Sequence, residues 1–237
     1  MPRILIYNND TNKMETYDRG LNDAMPYVTG RTLTVREFIS NSNSNIAWTT
    51  KRFMQNWNKL RSAWDQPIYI GYVFKRIWQG GHAGQSQHYA GLAMDIAQRA
   101  TSTERDRLRN LAIDLGIFGY VEPKSLTPTW VHIDGRTGTP ACPTGGYPVI
   151  RQGSRGVYVL VLQDALTYLG YNLGNLDGLF GAKTKAAVQR FQRDNNLSAD
   201  GIVGCNTWRR LTNKFWKRAS LRSPFGFYFF TFLKYSI

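Results

Sequence analysis

The sequence predicts an α+β domain over roughly the first 140 residues, followed by a small domain built only of helices. Helical and strand-like hydrophobic spacings are mixed in the first part. A turn motif occurs twice between residues 151 and 213, among apolar stripes at helical spacing. The stretch 135–153 between the two parts is rich in glycine, proline and threonine, which is typical of a linker.

Three helices are expected in the first part of the chain. Thr34 with Glu37, and Thr101 with Glu104, have the capping-box pattern that opens a helix. A further helix is indicated by large apolar side chains separated by four, three and four residues. These side chains are Phe53, Trp57, Leu60 and Trp64.

Two short segments alternate between apolar and other side chains with the period of two that indicates a β-strand. In residues 92–97 the alternation places Asp95 on one face of the strand. In residues 129–134 it places His132 and Asp134 together on one face. We expect these strands to be neighbours and to present Asp95 and His132 to one point.

The residues His88, Asp95 and His132 offer two imidazoles and one carboxylate, a set that suits zinc with a fourth position open for water. His88 and Asp95 are seven residues apart, so the chain must bend between them, and Gly91 can adopt the positive φ that such a bend needs. A carboxylate within an apolar strand is costly unless it is paired or bound to a metal. The pattern predicts a catalytic metal site. The third histidine, His82, follows two glycines and is expected in a loop, with contact to the substrate as the alternative.

The motif Asp-Gly-apolar-apolar-Gly-x-x-Thr occurs at residues 177–184 and again at 200–207, 23 residues apart. Asp-Gly favours a turn, and Thr184 and Thr207 are expected to cap the helices that follow. Apolar side chains at helical spacing mark three short helices. They are Val159, Leu162, Ala165, Leu166 and Leu169 in the first, Val188 and Phe191 in the second, and Trp208 and Leu211 in the third.

The motifs around the predicted metal site resemble those of the zinc D-Ala-D-Ala carboxypeptidase family, the VanY-like and hedgehog-type metallopeptidases. The family's first motif, Ser-x-His-x-x-Gly-x-Ala-x-Asp, is matched in full by Ser86, His88, Gly91, Ala93 and Asp95. Its second motif, an aromatic residue two positions before the last zinc histidine, is matched by Trp130 and His132. The likeness covers residues 30–140. It implies an α+β zinc peptidase domain in which His88, Asp95 and His132 bind Zn2+.

The same resemblance implies zinc-dependent hydrolysis of peptide bonds in peptidoglycan stem peptides, by a D,D- or L,D-carboxypeptidase or by an endopeptidase. Many family members carry a Glu or Asp as general base three residues before the last histidine, where this chain has Thr129. Glu122 and Asp134 are therefore the candidates for the base. Asp134 is alternatively a partner that orients His132.

The family also carries a basic residue upstream of the first motif that stabilises the oxyanion. Lys75 and Arg76 are the candidates, and their spacing does not separate them. Because the usual acid is replaced by Thr129, the alternative function is a non-catalytic cell-wall-binding protein with a structural zinc site.

Residues 151–213 resemble the three-helix peptidoglycan-binding domain found beside many cell-wall hydrolases. The likeness rests on Gln163, Phe191, Gln192 and the two Asp-Gly turns. It implies that this all-α domain targets the protein to the cell wall, and the two domains together resemble a phage endolysin. The turn at Asp177 and Gly178, with neighbouring Tyr171, supplies the candidate peptidoglycan contacts.

The chain has a formal net charge of +14, and half of it comes from residues 201–237. A basic surface attracts polyanions. Peptidoglycan is the expected partner, with anionic wall polymers or lipid headgroups as further candidates. No nucleic-acid-binding motif is present, so no nucleic-acid partner is expected. A monomer is expected.

The ends of the chain and its cysteines complete the expectations. The basic, aromatic tail 214–237 contains the run Phe225–Leu233, which either inserts at a membrane interface or is an unselected extension. The first ten residues hold an apolar run of four, shorter than a signal peptide requires, and no transmembrane span is expected. Action at the bacterial cell wall is expected, and a wall hydrolase without its own signal fits a phage-type lysin released through a holin or the product of a phage-derived gene. Cys142 and Cys205 lie in different segments without metal-ligand spacing and are expected to be unpaired thiols.

Overall fold

The computed structural model describes residues 1–221 apart from Asn41 and Asn43, with side chains described as far as residue 215. It consists of an N-terminal α+β region with two sheets, followed by three helices. The aromatic run Phe225–Leu233, with its two alternative roles, lies outside the described residues. No helix in the described ranges is long and apolar enough to cross a bilayer.

The first sheet contains three strands: β1 (Arg3–Asn8), β2 (Lys13–Asp18) and β3 (Ile46–Thr50). β1 lies in the centre, antiparallel to β2 and parallel to β3. Ile4 and Ile6 are completely buried. The short apolar run at the start of the sequence is therefore a core strand, and residues before position 30 belong to the N-terminal region.

The second sheet contains four antiparallel strands in the order β4-β5-β7-β6. Their ranges are β4 (Ile70–Tyr72), β5 (Ala93–Ile96), β6 (Tyr120–Val121) and β7 (Val131–Asp134). β5 and β7 are neighbours, and Asp95 lies directly opposite His132. The predicted pairing of the two motif strands is confirmed.

The N-terminal helices are α1 (Val35–Ile39), α2 (Lys51–Trp64) and α3 (Ser102–Asp114). Both capping boxes are present, at Thr34 and at Thr101, because each threonine and the glutamate three residues later bond to each other's backbone N–H. Trp57 on α2 is completely buried. All three predicted helices are confirmed.

The C-terminal helices are α4 (Val157–Tyr168), α5 (Ala182–Asp194) and α6 (Cys205–Leu221). After α4, the Asp177-Gly178 turn is held by Gln163. The Gln163 side chain donates to Asp177 Oδ1 at 2.7 Å and accepts from Gly178 N at 2.9 Å. After α5, Gln192 makes the same two bonds with Asp200 and Gly201, at 2.8 and 2.9 Å. The duplicated motif is thus a duplicated turn clamped by a helix glutamine.

The two motif threonines do not cap the helices, contrary to expectation. Thr184 lies inside the first turn of α5, whose N-cap is Gly181. The Thr184 hydroxyl lies 3.3 Å from Gln163 Nε2, and Thr207 makes the equivalent contact with Gln192 at 3.2 Å. Both threonines complete the polar clamp of the preceding turn, and this use of the hydroxyl competes with a capping role.

The two cysteines form a disulfide, so the expectation of unpaired thiols is wrong. Cys142 in the linker is bonded to Cys205 at the start of α6, 63 residues further along the chain. The pairing arises because the third helix begins beside the linker, a tertiary contact that the spacing of the two cysteines does not reveal. The bond ties the linker to the C-terminal domain.

Removal of this disulfide is expected to destabilise the protein by about 2–4 kcal/mol, because the cross-link lowers the entropy of the unfolded chain. Urea unfolding of the Cys142→Ser/Cys205→Ser variant measures the loss, and the unsubstituted chain treated with reductant is its control. Unchanged stability, together with two thiols found by titration of the untreated protein, would contradict the cross-link.

The linker and α4 pack against the loop that carries His88. The Tyr147 hydroxyl donates to the Ser86 carbonyl oxygen at 2.6 Å. The Tyr158 hydroxyl donates to Gln87 Oε1 at 3.0 Å. The two residues that precede His88 are therefore held by side chains that follow the N-terminal region in the sequence.

Candidate metal centre

Three side chains from the first motif and from β7 converge on one point. His88 Nε2 lies 3.4 Å from Asp95 Oδ2, and His132 Nδ1 lies 2.7 Å from Asp95 Oδ1. One ligand atom from each residue lies within 4.8 Å of the other two. The structure therefore brings together the predicted metal ligands.

His88 is fixed by a hydrogen bond on the side of the ring that faces away from the other two ligands. Its Nδ1 lies 2.7 Å from the Val73 carbonyl oxygen, a contact in which the ring nitrogen carries the proton and donates. The other ring nitrogen, Nε2, faces Asp95. Such an outer hydrogen bond is the usual way in which a metal-binding histidine is oriented.

The bend between His88 and Asp95 depends on Gly91. This residue has a φ of 66°, and a Cβ there would lie 1.8 Å from the Trp48 carbonyl oxygen. Any side chain would collide with the backbone of β3, so glycine is required both for the left-handed conformation and for the close approach. The predicted positive φ is confirmed.

The charges of Asp95 and His132 stabilise each other. Burial opposes ionisation of Asp95, but hydrogen bonds with His132 and His88 outweigh it and hold the pKa of Asp95 well below its usual range. Burial also opposes the charged form of His132, yet hydrogen bonds with Asp134 and Asp95 raise its pKa to about 9. In the metal-free protein the two side chains therefore form an ion pair, and a bound cation would replace the proton of His132.

The donor set fits a divalent ion such as zinc. Neighbouring ligand atoms of a tetrahedral zinc site are about 3.3 Å apart when the bonds are roughly 2.0–2.1 Å long. The 3.4 Å contact between His88 and Asp95 matches this spacing. The 2.7 Å contact between Asp95 and His132 is shorter. It would have to open by roughly half an ångström, which a small rotation of either side chain provides.

Asp134 lies behind His132 and is completely buried. Its Oδ2 is 3.5 Å from His132 Nε2, and both of its oxygens accept hydrogen bonds from Arg136 Nε at 2.9 Å. Burial raises the pKa of Asp134, but the bonds from His132 and Arg136 outweigh burial and lower it. The sequence analysis did not identify Arg136 as a site residue. Its position two residues after Asp134, close enough for an ion pair, could have indicated it.

The predicted ligands open into a cavity of about 470 Å³. Its other lining side chains include His82, Glu122, Trp130 and Arg136, and residues 144–146 of the linker form part of its wall. The backbone N–H of Glu122 donates to the His132 carbonyl oxygen at 3.0 Å, which fixes this acid beside β7.

His82, expected in a loop with substrate contact as the alternative, lines this cavity. It does lie in a loop, but its ring centroid is 4.5 Å from that of His88 and 4.4 Å from that of Tyr72. Burial, followed by the influence of His88, lowers the pKa of His82 to about 3, so the ring is neutral. The position of His82 only six residues before His88 could have indicated that it lies near the candidate metal centre.

The two candidate basic residues lie outside the described lining of this cavity. Arg76 Nε donates to Asp164 Oδ2 on α4 at 2.9 Å, and a second nitrogen of the same guanidinium bonds to the other carboxylate oxygen. Lys75 is half-buried, and burial lowers its pKa. A Cβ built on Gly81 would lie 3.0 Å from Lys75 Nζ, which places this ammonium beside the turn that carries His82.

The candidate peptidoglycan contacts are engaged within the C-terminal domain. Asp177 Oδ1 accepts from Gln163 and also from Leu179 N at 2.9 Å. The Gly178 N–H is used by the glutamine clamp. The Tyr171 hydroxyl donates to Asp194 Oδ2 at 2.9 Å. A role of Asp177, Gly178 and Tyr171 in binding glycan or peptide stays a prediction.

The fold and the site together define a two-part protein, an α+β region with a candidate metal centre followed by a three-helix domain. Residues 155–211 match the family model described as "Putative peptidoglycan binding domain". The C-terminal helices are therefore a peptidoglycan-binding domain, as the sequence predicted. The resemblance of residues 30–140 to zinc peptidases stays a prediction.

Several cell-wall proteins are similar to parts of this chain. The N-acetylmuramoyl-L-alanine amidase CwlL of Bacillus licheniformis is 34% identical over 112 residues, which are 43% of this chain and 31% of the amidase. The spore cortex-lytic enzyme of Bacillus subtilis (strain 168) is 42% identical over 67 residues, 28% of this chain and 22% of that enzyme. The crystal structure of a Burkholderia AP3 phage endolysin matches with 40% identity and a TM-score of 0.28, covering 29% of this chain and 26% of the endolysin. The chain spans less than two-thirds of the length of the curated relatives that it matches.

Proposed function

We propose that this protein is a metal-dependent hydrolase of peptidoglycan stem peptides, brought to the cell wall by its C-terminal domain. The observation that carries the proposal is the convergence of His88, Asp95 and His132 at a cavity large enough for a peptide. The cell-wall hydrolases among the relatives support the same class of reaction. The peptidoglycan-binding domain would hold the protein on its substrate, the cell wall.

Zinc is the proposed ion, held by His88, Asp95 and His132. When bound, such an ion polarises a peptide carbonyl and makes water a sufficiently strong acid to react near neutral pH. Asp134 and Arg136 hold the ring of His132 in its ligating orientation through the buried carboxylate. Val73 does the same for His88.

Glu122 is the proposed general base, which takes a proton from the attacking water and returns it to the leaving amine. Two observations support this role. Glu122 lines the cavity that contains the ligands. Asp134, the other candidate, is completely buried and already accepts hydrogen bonds from Arg136 with both oxygens, which leaves it little freedom to carry a proton.

Lys75 is the proposed basic group for the oxyanion, in preference to Arg76. The guanidinium of Arg76 is bound to the buried carboxylate of Asp164, and withdrawing it would leave that charge without a partner. The ammonium of Lys75 lies beside Gly81, next to the cavity-lining His82. A movement of this flexible side chain would bring its charge to the cavity.

Replacement of Glu122 by Gln is expected to lower the rate of peptidoglycan hydrolysis about 10²–10⁴-fold, with unchanged metal content, because only the proton-transferring group is removed. Release of new amine termini from purified peptidoglycan measures the rate, with and without a chelator and with zinc add-back. Asp114→Asn, which neutralises an exposed acid at the end of α3, is the matched control.

Two outcomes would redirect the proposal. Full activity of the Glu122→Gln variant would assign the base to another group, with Asp134 the next to test. Tight binding of the intact protein to peptidoglycan, without any cleavage in the presence of zinc, would favour the alternative of a wall-binding protein with a structural metal site. That alternative is prompted by Thr129 at the position where many family members carry an acid.

A further inference from the structure

A second cavity, of about 270 Å³, lies where the N-terminal region meets the start of α4. We call it the basic cleft. Its walls combine cationic and aromatic side chains. They include Arg52, Arg136, Arg155, Tyr7, Phe53 and Tyr158. Among the described residues that line the basic cleft there is no Asp or Glu. The lining is therefore positive, with apolar surface beneath the charges.

Two of the three arginines form no ion pair with a carboxylate of the described residues. Arg136 is bound to Asp134. Arg52 and Arg155 are exposed and form no ion pair within the described part of the chain. Asp10, in the turn between β1 and β2, binds Lys51 at 2.6 Å, and this bond lowers the pKa of Asp10 more than the charge of Arg52 does. The basic cleft therefore has free guanidinium groups at its rim.

The start of α4 adds to this positive potential. The N-cap of α4 is Gly156, which lines the basic cleft and contributes no side-chain oxygen to the first turn. The backbone N–H groups at a helix start carry partial positive charge and need acceptors. The helix start and the two free arginines thus favour the same kind of ligand, an anion.

The basic cleft adjoins the cavity of the candidate metal centre. Arg136 lines both of them, and it is the residue that holds Asp134 behind His132. A chain molecule at the metal ligands would have to pass Arg136 to reach the basic cleft. The basic cleft is therefore placed to bind a part of the substrate beyond the bond that is cut.

We propose that the basic cleft binds a free carboxylate of the peptidoglycan stem peptide, next to the bond that the metal centre hydrolyses. This inference rests on the proposed function and names a specificity site for it. Stem peptides combine free carboxylates with small apolar side chains, which matches guanidinium groups above aromatic walls. The planar guanidinium donates two parallel hydrogen bonds to a carboxylate, an arrangement that confers both affinity and orientation.

The test measures binding rather than turnover. The probe is the free stem tetrapeptide L-Ala-γ-D-Glu-L-Lys-D-Ala, compared with the same peptide whose free carboxyl groups are converted to amides. Calorimetry with the full chain after chelation excludes direct contact between a carboxylate and the metal. Arg52→Gln/Arg155→Gln is expected to bind the free peptide about tenfold more weakly, and the amidated peptide should bind the unsubstituted chain equally weakly.

A matched control separates a specific site from general charge attraction, because the whole chain carries +14. Arg31→Gln/Arg210→Gln removes the same charge from exposed positions outside the basic cleft, and its affinity should change by less than about twofold. An equal loss in this control would overturn the proposal. So would equal affinity for free and amidated peptides, or no measurable binding of the free peptide.

Two further measurements distinguish the possible failures. The first is binding of a polyglycerol phosphate. If this binding depends on Arg52 and Arg155 and binding of the peptide does not, the basic cleft binds a phosphate polymer and the proposal is overturned. With zinc restored, the double variant should show a raised KM and an almost unchanged kcat. If the protein hydrolyses peptidoglycan but its affinity for the peptide does not depend on the free carboxylates, only this inference fails. If the protein binds the carboxylates but does not hydrolyse peptidoglycan, the proposed function fails and the binding site remains.

Discussion

Replacement of Asp95 by Asn is expected to abolish stoichiometric binding of zinc and to lower peptidoglycan hydrolysis about 10³-fold or more. The substitution keeps the size of the side chain but removes the only negative charge among the three predicted ligands. Asp95 faces both histidines, at 3.4 and 2.7 Å, so no other side chain in the group can replace its contribution. Elemental analysis of the purified protein and release of amine termini measure the two effects.

The matched control for this experiment is His82→Gln. His82 lies beside His88 and lines the same cavity, but it is not part of the group whose ligand atoms converge. The His82→Gln protein should therefore retain its metal. If the Asp95→Asn protein binds zinc as tightly as the unsubstituted chain, the three residues are not the metal site and the hydrolase proposal fails with them.

Replacement of Arg76 by Ala is expected to lower the free energy of unfolding by about 3–5 kcal/mol, because it leaves a buried carboxylate without its partner. Asp164 is only 1% exposed, and Arg76 bonds to both of its oxygens. The same guanidinium lies over the rings of Trp48 and Trp78, at 5.6 and 5.4 Å, and those contacts would also be lost. Urea unfolding of the full chain measures the change.

The pH dependence and a double variant identify the cause of this loss. Burial raises the pKa of Asp164 and the bonds from Arg76 oppose that rise, so removal of Arg76 raises the pKa further. The penalty should therefore shrink as the pH falls and Asp164 becomes protonated. Arg76→Leu/Asp164→Leu, which removes both charges, should recover most of the stability. A loss below about 1 kcal/mol for Arg76→Ala would contradict the buried ion pair.

Local patterns in the sequence predicted much of the fold and the centre of the site. The capping boxes at Thr34 and Thr101 are each recognised from four consecutive residues, and a helix begins at each of them. The alternation around Asp95 and His132 needs only the period of two of a strand, and it correctly predicts that both side chains face one point. The convergence of His88 with them was predicted from chemistry, since a carboxylate in an apolar strand needs a partner.

The features that the sequence did not predict depend on contacts between distant parts of the chain. The disulfide joins residues 63 positions apart, and the bond between Arg76 and Asp164 spans 88 positions. Neither partner carries a local signal of the other. The division of roles between Glu122 and Asp134 was left open for the same reason, because it depends on Arg136 and on burial rather than on motif spacing.

The contacts that Tyr147 and Tyr158 make beside His88 have a consequence for protein engineering. Through Tyr158 the C-terminal domain supports the loop that carries His88, and the disulfide bonds this domain to the linker. A chimera that replaces everything after residue 150 therefore loses Tyr158 and Cys205. A chimera that keeps these two residues is the better starting design.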